Sequence, residues 1–472
     1  MGAMAVSQRL TLRVTTVRLI ALVVCVTSLG CATNRTPHQL AEGLAPPAWP
    51  TQTAPDGAGA IEPADIPTSW LDTFDSAALR DFVDQVLAQN LALQQQAAQV
   101  ASLAERVTIT RANRLPSLSL SLNGQRSRLQ PSATVTENYS VSAALSQELD
   151  IWGALSDSQR AAQLDLQAAQ LRYLQAQRQT AADAVTATFD AISAEQLRQL
   201  FSQRLVTLSN SLDIIQRGYR SGLNEALDVY LAQTSLQQER ARVASQSQAS
   251  FTARTNLQLL LAQYPDARIS TAPQLPQLGP VPGLGLPSSI LTRRPDIQAA
   301  WLDLLSADAN LAVAHKNRFP SLTLSASGSD TERSISQLLD GGQLAWSVAA
   351  SLFQPLYQGG RLRSLERQAQ LAVAQSEAAY LEVVYRAFAQ VQNEINNAVQ
   401  LADQLAALEL AEVNAANALS LATDQYQRGL VNYATVLESQ RRAFDTQTSV
   451  IQLKNQQLAS RVRLFLALGG DV

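Results

Sequence analysis

Leu115-Pro116-Ser117-Leu118-Ser119-Leu120-Ser121 occurs twice in this chain, the second time as Phe319-Pro320-Ser321-Leu322-Thr323-Leu324-Ser325. Proline disfavours helical geometry in the residue before it, so each Pro ends the helical pattern that precedes it. Strict alternation follows. Leu118, Leu120 and Leu122 point one way and Ser117, Ser119 and Ser121 the other, as a strand with one apolar and one hydroxyl face requires. Beyond a polar loop the alternation resumes with Tyr139, Val141, Ala143 and Leu145 set against Ser140, Ser142, Ala144 and Ser146. The second copy continues with Trp346, Val348, Ala350 and Leu352. We therefore expect strands at about 116–126, 137–149, 320–328 and 345–356. Each is roughly ten residues, the length that a tilted strand needs to cross a bilayer. Leu118, Leu120, Leu122, Leu322 and Leu324 are then the lipid-facing side.

The duplication extends outward from these runs. The Leu-Ser runs are 204 positions apart, while Tyr139-Ser-Val/Trp346-Ser-Val, Tyr219-x-x-Gly222/Tyr426-x-x-Gly429 and Leu257-x-Leu259/Leu464-x-Leu466 are all 207 apart. The shift of three falls between the two strands of each copy, where a loop belongs. Constancy elsewhere calls for rigid elements of matched length. An Ala/Leu/Gln helical pattern leads into each first strand. A long helix, from about Gly153 to Arg217, follows the first hairpin and would span on the order of 95 Å if unbroken. Leu197, Leu200, Leu205, Leu208, Leu212 and Ile215 approximate coiled-coil spacing along it. Gly218 and Gly222 turn the chain, and a second helix returns to about Gln263. The other copy does the same from Gly360, turning at Gly429. The expected organisation is a leader at 1–30, an N-terminal linker at 31–69, repeats at 70–270 and 288–472, and a Pro-rich linker at 271–287.

Four amphipathic strands cannot close a barrel, since small barrels need about eight. Left open, they present unpaired edges to lipid. Several chains must therefore share one barrel. The helices are too long to lie within a bilayer, and no apolar run after residue 31 reaches eighteen residues, so a membrane crossing has to be made of strands.

At the N-terminus Arg9, Arg13 and Arg18 precede an apolar run from Leu19 to Leu29, ending in Ser28-Leu29-Gly30-Cys31. A small residue before a Cys at the end of such a run reads as a lipoprotein cleavage site, with Cys31 lipidated. The order Ser28-Leu29 inverts the usual one, in which Leu comes first. No Cys follows Cys31, so it has no disulfide partner in a mature chain beginning there.

Composition excludes several classes. With 36 Lys+Arg against 39 Asp+Glu the net charge is −3, which draws no nucleic acid. Two Cys and two His (His38 and His315) leave little for a metal centre or a Cys/His catalytic pair. We expect no cofactor and no enzyme activity. Arg294-Pro295-Asp296 reads as a helix start, and His315 as a structural histidine at a helix end. Trp152, Trp346, Tyr139 and Tyr357 lie near strand ends, where an aromatic belt belongs.

These residues resemble the outer membrane efflux protein family, which is TolC-like, and within it the NodT/OprM-type lipoproteins. The motifs are Leu291-x-x-Arg294-Pro295-Asp296-Ile297-x-Ala299-Ala300, Phe319-Pro320-Ser321, Pro355-Leu356-Tyr357-x-Gly359-Gly360-Arg361, Tyr426-x-x-Gly429 and Ala467-Leu468-Gly469-Gly470. Two departures are Trp301, where the family usually carries Glu, and the ending Gly-Gly-Asp-Val. The resemblance implies an α+β membrane protein. Its duplicated helix–hairpin–helix units would form a homotrimeric twelve-stranded barrel in outer-membrane lipid, continued by a long helical periplasmic tunnel. It implies a passive exit duct for drugs or other small molecules, docked on a periplasmic membrane-fusion adaptor and, through it, on an inner-membrane pump. It also implies a gate at the far end of the tunnel, lined by the acidic Asp228 and Glu438; Tyr426 and Arg428, the nearest in sequence, are the candidate contacts that keep it narrow. The adaptor-docking tips fall at Gly218, Gly222, Gly429 and Asn432. The competing readings are a coiled-coil envelope lipoprotein and the exit duct of a protein-secretion system. The amphipathic strands argue against a scaffold, which has no use for a lipid-facing side.

Overall fold

The computed structural model describes residues 45–46, 49, 70–128, 135–279, 287–340 and 344–471. Cys31, the leader, most of the N-terminal linker and residues 280–286 of the inter-repeat linker lie outside them. The chain is mostly helical with one small sheet. In order it runs α1 (Ala77–Gln89), α2 (Leu91–Ala112), β1 (Ser117–Arg128), β2 (Val135–Leu149), α3 (Ala154–Arg220) and α4 (Ala226–Leu260). It then repeats as α5 (Ile290–Arg293), α6 (Pro295–Lys316), β3 (Ser321–Glu332), α7 (Ile335–Leu339), β4 (Ala345–Phe353), α8 (Arg361–Gln427) and α9 (Tyr433–Ala467). No helix among the described residues is long and apolar enough to cross a membrane.

The duplication is met element by element. α3 and α8 each have 67 residues, α4 and α9 each have 35, and both pairs start 207 positions apart. α2 and α6 each have 22 residues, 204 apart. The change of offset falls in the hairpin connections. The second of these contains α7, which Ser334 caps by accepting from the Gln337 amide.

Two compact units make up the chain. The first contains residues 101–168 and 300–380 and holds the sheet. Its strands are antiparallel in the order β1-β2-β3-β4, so β1 and β4 are both edges. Where β3 starts, Trp152 donates its indole N–H to the Pro320 carbonyl at 2.6 Å and packs against Phe319. His315 meets the Glu366 carboxylate at 2.7 Å, and Arg318 holds the other oxygen of Glu366. Trp301, which departs from the family pattern, packs on Tyr380.

The second unit contains residues 41–100, 169–299 and 381–472. Its core is an aromatic and small-residue cluster. Trp70 stacks on Phe465, Phe74 meets Phe189 edge-on, and Ala181, Ala182 and Ala184 let the α3 backbone come close. Arg294 is buried at 6% exposure and gathers three elements: it clasps Asp296 at the start of α6, the Gln390 amide of α8 and the Ala467 carbonyl that ends α9. Asp296 also accepts the Ile297 amide, which suits a carboxylate in a first helical turn. The Arg-Pro-Asp motif is thus a packing clasp.

Candidate functional site

The two faces of the sheet differ in chemistry. The register pairs Leu118 with Leu145, Leu120 with Ala143 and Leu122 with Val141. Across β3 it pairs Leu145 with Ala326 and Leu149 with Leu322, and across β4 Leu322 with Leu352 and Ala326 with Val348. All of these lie on one side. Leu118 and Leu120 are each 76% exposed and Trp346 is 76% exposed, an apolar sheet surface that water does not favour. Towards the hairpin connections the same side turns charged, with Glu137 held by Arg126 at 3.1 Å, then Asp330 and Glu332. On the opposite side Ser121 meets Ser142 at 2.8 Å and Ser327 meets Ser347 at 2.9 Å, while Ser117 and Ser119 bond to carbonyls of β2. That face is a field of hydroxyls. Each edge strand leaves a row of backbone groups without a ladder partner among the described residues.

β1 continues to Arg128 and β3 to Glu332, past the end of apolar alternation, because a ladder needs only backbone partners there. Of the strand-end aromatics, Trp346 and Tyr357 are exposed, Tyr139 is half-buried, and Trp152 is taken up by Pro320 and Phe319.

The second candidate region is the pair of ends at which α3 turns into α4 and α8 into α9, within the second unit. Gly222 has φ +74° and Gly429 has φ +72°, the left-handed geometry that ends a helix at little cost only for glycine. Gly218 serves a different need. A Cβ there would sit 2.6 Å from the Asn224 Oδ1. Asn432 caps α9 by accepting the Thr435 amide at 3.0 Å, and the Glu225 amide donates to Asp228 at 3.3 Å.

The hairpins touch through a small cluster. Ile215, Ala232, Tyr433 and Val436 are buried together, with Tyr426 against them. Asn224 donates its side-chain N–H to the Tyr426 hydroxyl at 2.7 Å, joining residues 202 positions apart. Burial pushes the Tyr433 phenol up to about 12, with Tyr426 and the Asp228 carboxylate adding to it. Tyr426 is also raised, by burial first, against the opposing pull of the Asn224 bond. Asp228 thus lies in the electrostatic surroundings of both tyrosines. Arg428 instead pairs with Asp424 along its own helix at 2.9 Å. Glu438 is exposed and held by Arg441 and Arg442, whose hydrogen bonds bring its carboxyl down to about 2. Among the described residues no ion pair or hydrogen bond joins Asp228, Glu438 and Arg428.

The sequence did not single out Asn224 and Tyr433. Their equivalents in the other copy are Val431 and Ala226, so the repeat itself carried no sign of them.

The family profile described as "Outer membrane efflux protein" matches residues 82–263 and 286–470. The chain belongs to the outer membrane efflux protein family. This efflux protein is 30% identical over 463 residues to the outer membrane protein OprJ of Pseudomonas aeruginosa, covering 95% of each chain. It is 29% identical over 413 residues, 86% of each chain, to the toluene efflux pump outer membrane protein TtgF of Pseudomonas putida. The Campylobacter jejuni CmeC outer membrane channel superposes with a TM-score of 0.83 over 89% of this chain and 91% of that one; at 19% identity it speaks for the fold alone. The efflux protein is an outer-membrane component of an efflux system and not an enzyme. These relatives do not favour the scaffold and protein-secretion readings.

Proposed function

We propose that three copies of the chain close one barrel of twelve strands, which a helical tunnel continues into the periplasm, and that the assembly is the passive exit duct of a tripartite pump. The observation that carries this is the four-stranded sheet with one apolar face, one hydroxyl face and two edges that are unpaired among the described residues. In an antiparallel meander of four strands, β4 runs opposite to β1, so β4 of one copy continues the ladder onto β1 of the next. Closure removes every edge, puts the leucines against lipid and leaves the serines around water. A water-filled bore lined by hydroxyls passes small drugs and organic solvents without a fitted site. The tips at Gly218, Gly222, Gly429 and Asn432 dock on a membrane-fusion adaptor, which couples the duct to an inner-membrane pump. Asp228, Glu438, Tyr426 and Arg428 belong to the gate, and Cys31 carries the lipid anchor.

The deciding experiment is a series of cysteine pairs on the hydroxyl face, one on β1 and one on β4, in protein extracted from outer membranes. Disulfides form only where Cα atoms lie about 4.4–6.8 Å apart. In at least one register a covalent ladder should appear and stop at three chains. A ladder stopping at two, or no cross-link in any register, overturns the closed trimer.

A further inference from the structure

Beyond the hairpin turns, α4 and α9 enclose a charged layer that the duct reading leaves unused. Glu239 of α4 is 3% exposed, and its Oε1 has no hydrogen-bond partner among the described residues. The other oxygen reaches only Arg242, at a long 3.6 Å. Both helices line a cavity of about 260 Å³ beside it, with Gln440, Glu438 and Arg441 on the α9 side. A buried carboxylate with an unmet oxygen costs free energy as an anion and much less as a neutral acid.

We propose that Glu239 is a proton-operated latch on the seam between α4 and α9. This rests on the reading of the two hairpins as the movable gate of the duct. The charges around Glu239 decide the sign. From α3 comes Arg204, itself 3% exposed. Its guanidinium lies between Phe201 and Phe444 and gives its donors to the Phe444 carbonyl, Gln447 and Thr448 of α9. From α4 comes Arg242, nearly half exposed. From α9 come Asp445, which repels and is itself paired with Arg441 at 3.2 Å, and Glu438, which Arg441 and Arg442 screen. Burial outweighs the attraction of Arg242 and Arg204, with Asp445 reinforcing it, so the Glu239 carboxyl is held above the ordinary carboxylate range.

The linkage follows. A closed seam binds the Glu239 proton more tightly than a wetted one. Closure is favoured below the raised value and loses that advantage as pH climbs through it. One proton per chain shifts the closed-to-open ratio by at most about tenfold per pH unit.

The test uses the assembled protein in planar bilayers, with resting conductance followed from about pH 5 to about pH 8. Wild type should rise with pH, by at most about tenfold per pH unit for each latch, and Glu239→Gln, a neutral isostere, should stay flat at the acid level. A Glu239→Gln variant that keeps the wild-type profile, or a flat wild type, overturns the latch. If wild type forms no channel, the duct reading fails, and hydrogen exchange of wild-type α4 and α9 amides, corrected for intrinsic pH dependence, decides the latch separately. Opening that becomes easier with rising pH supports it, and opening independent of pH overturns it.

Discussion

Asn224, in the turn between α3 and α4, donates to the Tyr426 hydroxyl at 2.7 Å, near the end of α8. This bond crosses between two hairpins that the sequence separates by 202 positions, next to a buried cluster of only a few side chains. If the hairpins part when the duct opens, the bond must break. A neutral, part-buried hydrogen bond contributes about 0.5–1.5 kcal/mol, so losing it changes the closed-to-open ratio by roughly twofold to tenfold per chain. Tyr426→Phe and Asn224→Ala should each raise resting conductance in planar bilayers by about that factor. A double variant no leakier than either single variant would identify the bond as the shared cause. Unchanged conductance in both would move the restraint elsewhere.

Gly218 gives an independent handle on the same contact. A Cβ at that position stands 2.6 Å from the Asn224 Oδ1, so Gly218→Ala must push the Asn224 side chain aside. The variant should be as leaky as Asn224→Ala and add nothing to it. Gly222 and Gly429 have open space around them but positive φ, so their substitution acts through the backbone. Val at either position is strained by roughly 1–2 kcal/mol or more and should deform the turn. Export should fall while trimers still reach the membrane, checked by oligomer gels alongside drug-accumulation assays. Normal export with both glycines replaced by Val would exclude docking through these turns.

How much of this was legible in the sequence depends on whether a residue's role is periodic. Leu118, Leu120 and Leu122 announce a face because alternation repeats, and the matched lengths of α3 and α8 announce themselves through a constant offset. The hairpin contact was not legible, because Asn224 and Tyr433 occur in one copy each and meet their partners through tertiary placement. Charge partners were equally hidden. Arg428 is close in sequence to the turn, yet Asp424 one helical turn away takes its guanidinium. Glu239 looks like any Glu in a Gln-rich helix, and only packing against α3 and α9 reveals its buried position.

The sheet faces give a paired prediction. Leu120→Arg or Leu324→Arg places a charge towards lipid and costs about 2–4 kcal/mol per chain near the bilayer midplane. Ser119→Arg or Thr323→Arg places the same charge on the hydroxyl side, in water. Heat-stable oligomer on gels should fall sharply for the first pair and little for the second. Equal damage from both pairs would mean that the face assignment is wrong.

Glu438 sets the pH behaviour of any cation preference. Arg441 and Arg442 hold its carboxyl at about 2, so it stays ionised until pH falls through that region. A depressed carboxyl keeps its charge above its own titration and loses it only below. In a threefold assembly the position becomes three carboxylates, each partly screened by its own arginines, and acidic rings of this kind favour cations. Reversal potentials under a salt gradient should therefore show a Glu438-dependent cation preference that is constant from about pH 4 to about pH 8. Glu438→Ala together with Asp228→Ala should reduce it across that whole range. Glu239→Gln should leave the preference unaltered and change only the conductance profile, which separates a charge that ions see from one buried in the seam. A cation preference that survives the Glu438→Ala, Asp228→Ala pair would make both residues ordinary helix charges and place the selective ring at other acids.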